Sequence, residues 1–385
     1  MKKIFIPILT LIMAFQAVAQ DNGTSVDNRV ITTGVPFVLI AADARSAGIA
    51  DIGVTSSADA FSQQWNPAKY AFALDQQGIG ITYTPYLSQL VNDIFLGNLV
   101  YYNRINERSA FALSFRYFSL GEIELRETID QEPLLQSPNE LTFDVSYSLR
   151  LSDQFSLAVA GRYLRSDLKI QAAIEDASAA NSFAVDIAGY YQSEEIAYSD
   201  FNGRWRAGFN ISNIGPKLKY DDLGQENFLP TNFAIGGGFD FILDGYNTIG
   251  LNLEMNKLLV PTPSDSNGDG VINREDDWYN ESWFSALFSS WGDAPDGFSE
   301  EFQEMTWAFG AEYWYQNVFA FRTGYFYENP NKGSRQFLSL GAGFRYTTIN
   351  FDISYLFSTS AVRSPLEGTL RFGLTFSFGE EYSEY

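Results

Sequence analysis

Leu370-Arg371-Phe372-Gly373-Leu374-Thr375-Phe376-Ser377-Phe378 is the stretch on which the fold turns. Side chains of an extended chain alternate between two faces. Leu370, Phe372, Leu374, Phe376 and Phe378 therefore share one apolar face, and Arg371, Gly373, Thr375 and Ser377 share a small, polar one. The pattern recurs. Phe111, Leu113, Phe115 and Tyr117 oppose Ala112, Ser114 and Arg116. Trp205, Ala207, Phe209 and Ile211 oppose Arg204, Arg206, Gly208 and Asn210, and Ile349, Phe351, Ile353, Tyr355 and Phe357 oppose Asn350, Asp352 and Ser354. Fourteen such segments, each about ten residues long, run from Gly78–Tyr86 to Gly368–Phe378 and predict a fourteen-stranded antiparallel wall. One lipid-facing and one lumen-facing column per strand is the signature of a transmembrane barrel. A slip of one residue would put the charged column into lipid, so the register is well specified.

The N-terminus supports export. Lys2 and Lys3 precede an apolar run from Ile4 to Phe15, followed by Ala17-Val18-Ala19. These are the basic, hydrophobic and cleavage regions of a secretory signal, and the run is too short to cross a bilayer as a helix. Cleavage after Ala19 is expected, with the mature chain starting at Gln20. The expected organisation is a signal peptide over residues 1–19, a hatch or plug segment over 20–77, and a barrel over 78–385 that carries a long outer loop at 256–305.

Composition narrows the function classes. With 33 Phe, 22 Tyr, 7 Trp and 31 Gly, the chain has the outward aromatics and bend-tolerant glycines of a barrel. The mean hydropathy of −0.13 is compatible with that, because a polar lumen dilutes the average. The chain has no Cys and no His. That removes disulfides, thiolate and imidazole metal sites, and Ser-His nucleophilic systems. Its 25 basic against 47 acidic residues, a formal −22, exclude nucleic acid as a partner. The acids concentrate in connections such as 122–132, 265–281 and 293–304, where they serve loop solvation or the binding of a cation or partner.

Connections alternate in length. Those near 106, 152, 245, 317 and 347 are tight; those at 119–140, 165–181, 214–230 and 256–305 are long. Short periplasmic turns and long outer loops are the rule for such barrels. An even strand number then places the termini in the periplasm, with the protein in the outer membrane of a Gram-negative cell. Gln192–Gly203 is longer than a short-side turn should be. The inward positions hold Arg116, Arg150, Arg162, Arg206, Arg322, Arg345 and Arg371 together with Asp144, Asp186, Asp240, Glu254, Glu312 and Asp352. Mixed signs predict internal ion pairs with a plug rather than an ion-selective pore.

Residues 20–77 do not read as strands. They contain Pro36-Phe37-Val38-Leu39-Ile40-Ala41-Ala42-Asp43-Ala44-Arg45-Ser46-Ala47-Gly48, then Asp51-Ile52-Gly53, then Trp65-Asn66-Pro67-Ala68-Lys69. This series resembles the N-terminal signature of the PorV family, outer-membrane components of type IX secretion, which are similar to FadL-type barrels. The Asn-Pro-Ala element is shared with that wider group; Ala-Asp-Ala-Arg-Ser-Ala-Gly is sharper. The resemblance implies fourteen strands with an N-terminal hatch inside the lumen. It also implies partners: outer-membrane lipid, the large type IX translocon barrel, cargo C-terminal signal domains and a sortase-like surface complex. Among the hatch residues Asp43, Arg45, Trp65, Asn66 and Pro67, the charges of Asp43 and Arg45 suit pairing with lumen charges, the alternative being that these residues only cap local turns. Asn66-Pro67 is a turn-former that can end the hatch.

The longest loop carries Asp265-Ser266-Asn267-Gly268-Asp269-Gly270-Val271-Ile272-Asn273-Arg274-Glu275-Asp276. Counted from Asp265, oxygen ligands stand at positions 1, 3, 5, 9 and 12, Gly at 6, and Val271 offers a carbonyl at 7. This matches an EF-hand-type calcium loop with Asp276 in place of the usual Glu. The expected ligands are Asp265, Asn267, Asp269, Val271, Asn273 and Asp276. Next, Asn280 can cap a helix over Glu281–Trp291 that ends at Gly292. Trp283, Phe284, Leu287, Phe288 and Trp291 then share one face, suited to the barrel rim and membrane interface or to a protein partner.

Three function classes are thus in play. Through the resemblance, the first is a secretion component that binds cargo signal domains emerging from the translocon and delivers them to the surface complex. The second is a FadL-like channel for hydrophobic small molecules, which needs an apolar pocket between hatch and lumen. The third, a lipid-modifying enzyme, is disfavoured by the absence of His.

Overall fold

The computed structural model describes residues 29–87, 91, 93–126, 132–168, 179–220, 226–360 and 367–382. The expected signal peptide lies outside the described residues. Fourteen strands form the wall: β1 Asp75–Pro85, β2 Ile94–Arg104, β3 Ser109–Leu120, β4 Asn139–Arg150, β5 Phe155–Asp167, β6 Ala180–Gln192, β7 Asn202–Ile214, β8 Asn232–Ile242, β9 Asn247–Leu258, β10 Thr306–Tyr315, β11 Phe319–Tyr327, β12 Gln336–Tyr346, β13 Ile349–Ser358 and β14 Leu370–Glu381. Each pairs antiparallel with its neighbours in sequence. β14 returns to β1, with Ile79 opposite Phe376, and closes the barrel. Closure satisfies every strand's backbone within the sheet and leaves no edge, the condition for crossing a bilayer. Among the described residues no helix is long and apolar enough to span one.

The period-two reading holds along the wall. In β4, Glu140, Thr142, Asp144, Ser146, Ser148 and Arg150 are buried, whereas Phe143, Val145 and Tyr147 are exposed. The strands outrun their expected limits. β1 starts at Asp75 rather than Gly78, β5 reaches Asp167, and β14 reaches Glu381. Hydrogen bonding continues beyond the depth at which the outer column must be apolar, so polarity marks the membrane boundary and not the strand end. The long short-side link is explained by Ile196–Ala197, which folds back onto the start of β7.

The tight turns cluster at one end of the barrel, where Asp75 and Glu381 are paired. The segment before β1 runs down the lumen as short pieces: a 3-10 turn at Pro36–Leu39, α1 at Ala44–Gly48, α2 at Ser62–Trp65 and a second 3-10 turn at Pro67–Phe72. Its first described residue, Arg29, lies at the opposite, long-loop end, bonded to Asp296 and Glu300. The hatch therefore spans the lumen from one mouth to the other.

The longest loop holds α3 Asp277–Asn280, α4 Trp283–Ser289 and α5 Phe298–Gln303. The expected single helix from Glu281, capped by Asn280, is corrected here. Glu281 and Ser282 are extended, and Ser282 is the cap, its side chain accepting from the N–H of Ser285 at 3.1 Å. A Ser hydroxyl immediately before an apolar run is a sound N-cap, and it restarts the helix after a break.

Candidate functional site

The hatch is bound to the wall by charge. Arg45 of α1 donates to both oxygens of Glu312 on β10, at 3.0 and 2.8 Å, and to Asp59 at 2.9 Å. Glu312 also takes Arg322 of β11, which reaches Asp352 of β13 at 2.7 Å. Arg371 lies 3.3 Å from Asp51, and Glu254 accepts from the N–H groups of Gly53 at 3.0 Å and Val54 at 2.9 Å. A second wall cluster joins Arg162 to Asp144 and Asp186. Buried charges persist only when paired and hydrogen-bonded. The mixed signs of the inward columns are here resolved into such pairs. Arg345 is the exception in position: it faces inward but stays exposed near the tight-turn end, over the Trp314 ring.

The quoted hatch residues take different parts. Asp43 does not meet a lumen charge. It caps α1 by accepting from the N–H of Ser46 at 2.7 Å and takes Trp65 Nε1–H at 2.7 Å, tying two hatch segments together. Arg45 does meet the wall. Asn66 accepts from the N–H of Ala68 and donates to Val54 and Gly189, while Pro67 opens the 3-10 turn that leads into β1. Close packing needs glycine at Gly324: a Cβ there would stand 2.5 Å from the carbonyl carbon of Ile49.

Between hatch and wall, towards the long-loop end, lies a cavity of about 490 Å³. Val38, Leu39, Ile40 and Phe326 give it apolar surface, and Lys332 and Arg335 stand beside them.

The long loop is pinned across that mouth. Lys257 at the end of β9 bonds Glu301 and Glu304, each at 2.8 Å. Lys332, from the β11–β12 loop, bonds Glu300 at 2.6 Å and Glu304 at 2.9 Å. Arg29 bonds Glu300 and Asp296. Burial raises the pKa of Glu300, but bonds from Arg29 and Lys332 outweigh it and hold the carboxyl at about 2. Asp293 goes the other way: burial, aided by Glu301 and Glu304, lifts it to about 6 against its bonds from Thr262. The acidic run 293–304 is therefore an anchor as well as a solvated stretch. Nothing in the local sequence announces this, because the partners come from three distant segments.

The calcium-like loop has the backbone of its motif. Gly270, at position 6, takes a left-handed φ of 84°. Asp265 accepts from Gly268 and Gly270, Asn267 from Asp269, Asp269 from Val271, Asn273 from Glu275, and Asp276 from Ser266, Asn267 and Asn273. The Asn273 N–H, the strongest influence, helps hold the Asp276 carboxyl below the ordinary range. Among the described residues, however, no three acidic side chains converge as a metal site.

The expected aromatic face is divided. Trp283 and Ala286 turn in against Phe228 and Val260, and Leu287 is half-buried. Phe284 and Phe288 are exposed and edge-stacked at 5.7 Å. Trp291, beyond the helix end, leans on Phe233 of β8 at 5.5 Å.

Residues 23–265 match the family model described as type IX secretion system protein PorV. The chain belongs to the PorV family. This PorV-family chain matches no curated protein. It is similar in structure to the Pseudomonas putida toluene transporter TodX (12% identity, 91% of this chain and 99% of that one, TM-score 0.47). It is also similar to the Ralstonia pickettii toluene transporter TbuX (10%, 89% and 100%, 0.48) and to a Pseudomonas aeruginosa FadL homologue (13%, 88% and 98%, 0.44). PorV-family membership and the closed barrel make this an outer-membrane protein of type IX secretion.

Proposed function

We propose that this barrel receives the C-terminal signal domain of secreted cargo at its long-loop end, as it leaves the large translocon barrel, and hands it to a sortase-like surface complex. The observation that carries the reading is the filled lumen. A hatch fastened by Arg45–Glu312, Arg371–Asp51 and the Glu254 bonds stands in the way of a protein crossing the lumen, which supports assigning the work to the outer surface. The barrel acts here as a non-enzymatic transport component. The long-loop end faces outward, and the paired ends of β1 and β14 face the periplasm. Phe284 and Phe288 are the residues offered to a protein partner, with Trp283 and Leu287 supporting them from within. Intact protein isolated from outer membranes should carry the large barrel or secreted proteins with uncleaved C-terminal domains. Single-Cys labelling of intact cells, clean in a chain without Cys, should reach Ser266→Cys and not Ser152→Cys.

The same reading gives the loop 265–276 a calcium ion. The positive φ of Gly270 and the chain of Asx bonds support it, and the carboxylates of the loop would have to draw together on binding. Bound calcium would supply charge neutralisation for an acidic loop and fix the approach to α4.

A second reading is favoured by the cavity: a FadL-like path for small hydrophobic molecules along Val38, Leu39, Ile40 and Phe326. Its volume lies in the range of ligand pockets. Co-purifying fatty acid without secretion partners would select it.

A further inference from the structure

The long loop carries a second apolar surface that the secretion reading does not use. It is built from Trp291 and from Phe298 and Phe302 of α5. Phe298 is 81% exposed and Phe302 51%. The two stand one turn apart on a single face of α5. Glu300, Glu301 and Glu304 project the other way, into the bonds with Arg29, Lys257 and Lys332. The segment is therefore amphipathic, and its acids are already neutralised by the barrel rim.

What lies beneath this surface identifies its occupant. Trp291 packs on Phe233, and Phe302 packs on Trp307 at 5.8 Å. Phe233 is the second residue of β8 and Trp307 the second of β10. Both belong to the outward columns, which continue through Ile235 on β8 and Phe309 on β10, both exposed. Those columns are the barrel's lipid-facing surface. The loop aromatics extend it without a break past the strand ends. Aromatic side chains favour the membrane–water boundary, and an amphipathic helix settles its apolar face there.

We propose that Trp291, Phe298 and Phe302 seat this side of the long loop in the lipid interface above β8–β10, so that the acyl chains of membrane lipid, and not a protein, cover it. The loop is then held at two edges, by ion pairs on the lumen side and by lipid on the outer side. The inference rests on the barrel spanning a membrane and is independent of the cargo reading.

The test uses the full chain in phosphatidylcholine vesicles whose acyl chains carry bromine near the headgroup. A bimane is placed at Phe298→Cys, with Phe302→Cys as a second reporter should the first variant not fold, as judged by heat-modifiable gel mobility. Leu340→Cys, on the outward face of β12, reports lipid, and Val271→Cys, exposed in the calcium-like loop, reports water. Quenching at 298 or 302 within about twofold of that at 340, and well above that at 271, is expected for side chains at the interface. Quenching no greater than at 271 would overturn the proposal and leave the surface to a protein partner.

Discussion

Arg45 and Glu312, 267 positions apart in the chain, meet inside the barrel in a two-point ion pair that joins the hatch to the wall. Glu312 simultaneously serves Arg322. A fork of guanidinium on carboxylate is a strong and directional contact. Its position, between a hatch that belongs to no strand of the wall and a strand fixed in the ring, makes it the natural place to ask how firmly the lumen is closed.

Glu312→Gln should lower the thermal stability of the detergent-solubilised protein markedly, because it leaves two buried guanidinium groups short of a counter-charge. Breaking such a pair costs about 3–5 kcal/mol. Glu124→Gln, which removes a partner of Arg126 in an exposed pair, should change it by less than about 1 kcal/mol. Heat-modifiable mobility on gels measures both; equal midpoints would mean that the hatch is not locked by charge.

Lys257→Met should free the long loop without disturbing the wall. Two glutamates would lose a buried cation, while the β9 ladder, whose bonds are backbone, stays intact. Limited proteolysis should then cut between 259 and 305 faster, several-fold, with the barrel fragments remaining folded.

Loop docking should depend on pH in two opposed ways. Glu300 is held at about 2, below its ordinary 4.5, so its contribution is present above 4.5 and is lost as pH falls towards 2. Asp293 is raised to about 6, so its neutral form favours the docked loop, and that contribution fades as pH rises through 6. Protection of the loop from proteolysis should peak between these limits. Asp293→Asn should restore protection at about pH 8 and change little at about pH 5.

Asp265→Ala with Asp269→Ala should abolish calcium uptake while the barrel still reaches the outer membrane at normal abundance. Hard cations need those oxygens, and the strands lie elsewhere. Calorimetry on wild type and variant decides it. No uptake by the wild type at roughly millimolar calcium, the level at which extracellular modules bind, would remove the ion from the account.

The wall was legible because each strand answers to two solvents at once. Lipid outside and charged partners inside write a period of two into residues such as Phe143–Asp144–Val145–Ser146, and the count of fourteen follows. Where the outer solvent stops being lipid the signal stops too, which is why Asp75 and Asp167 escaped. The hatch helices of four or five residues make little more than one turn, too few for a helical period to repeat. The break at Glu281–Ser282 was hidden because Trp283, Phe284, Leu287 and Phe288 satisfy a helix started on either side of it. The ion pairs of Arg45, Lys257 and Lys332 join residues that are distant in the chain, and one sequence holds no record of such pairing. The family signature supplied the functional direction; the packing of Phe302 on Trp307 is a tertiary contact that no local pattern records.

The most direct measurement of the central claim, that cargo is handled at the long-loop surface of a plugged barrel, is photo-crosslinking in intact cells. Benzoylphenylalanine would replace Phe288 at the long-loop end and, separately, Phe155 beside the tight turn at 151–154. Residue 288 should yield adducts containing secreted proteins with their C-terminal domains still attached, or the large translocon barrel, and residue 155 should not. Adducts of neither kind at 288, together with fatty acid recovered from the hatch cavity, would contradict the account and make the protein a small-molecule channel.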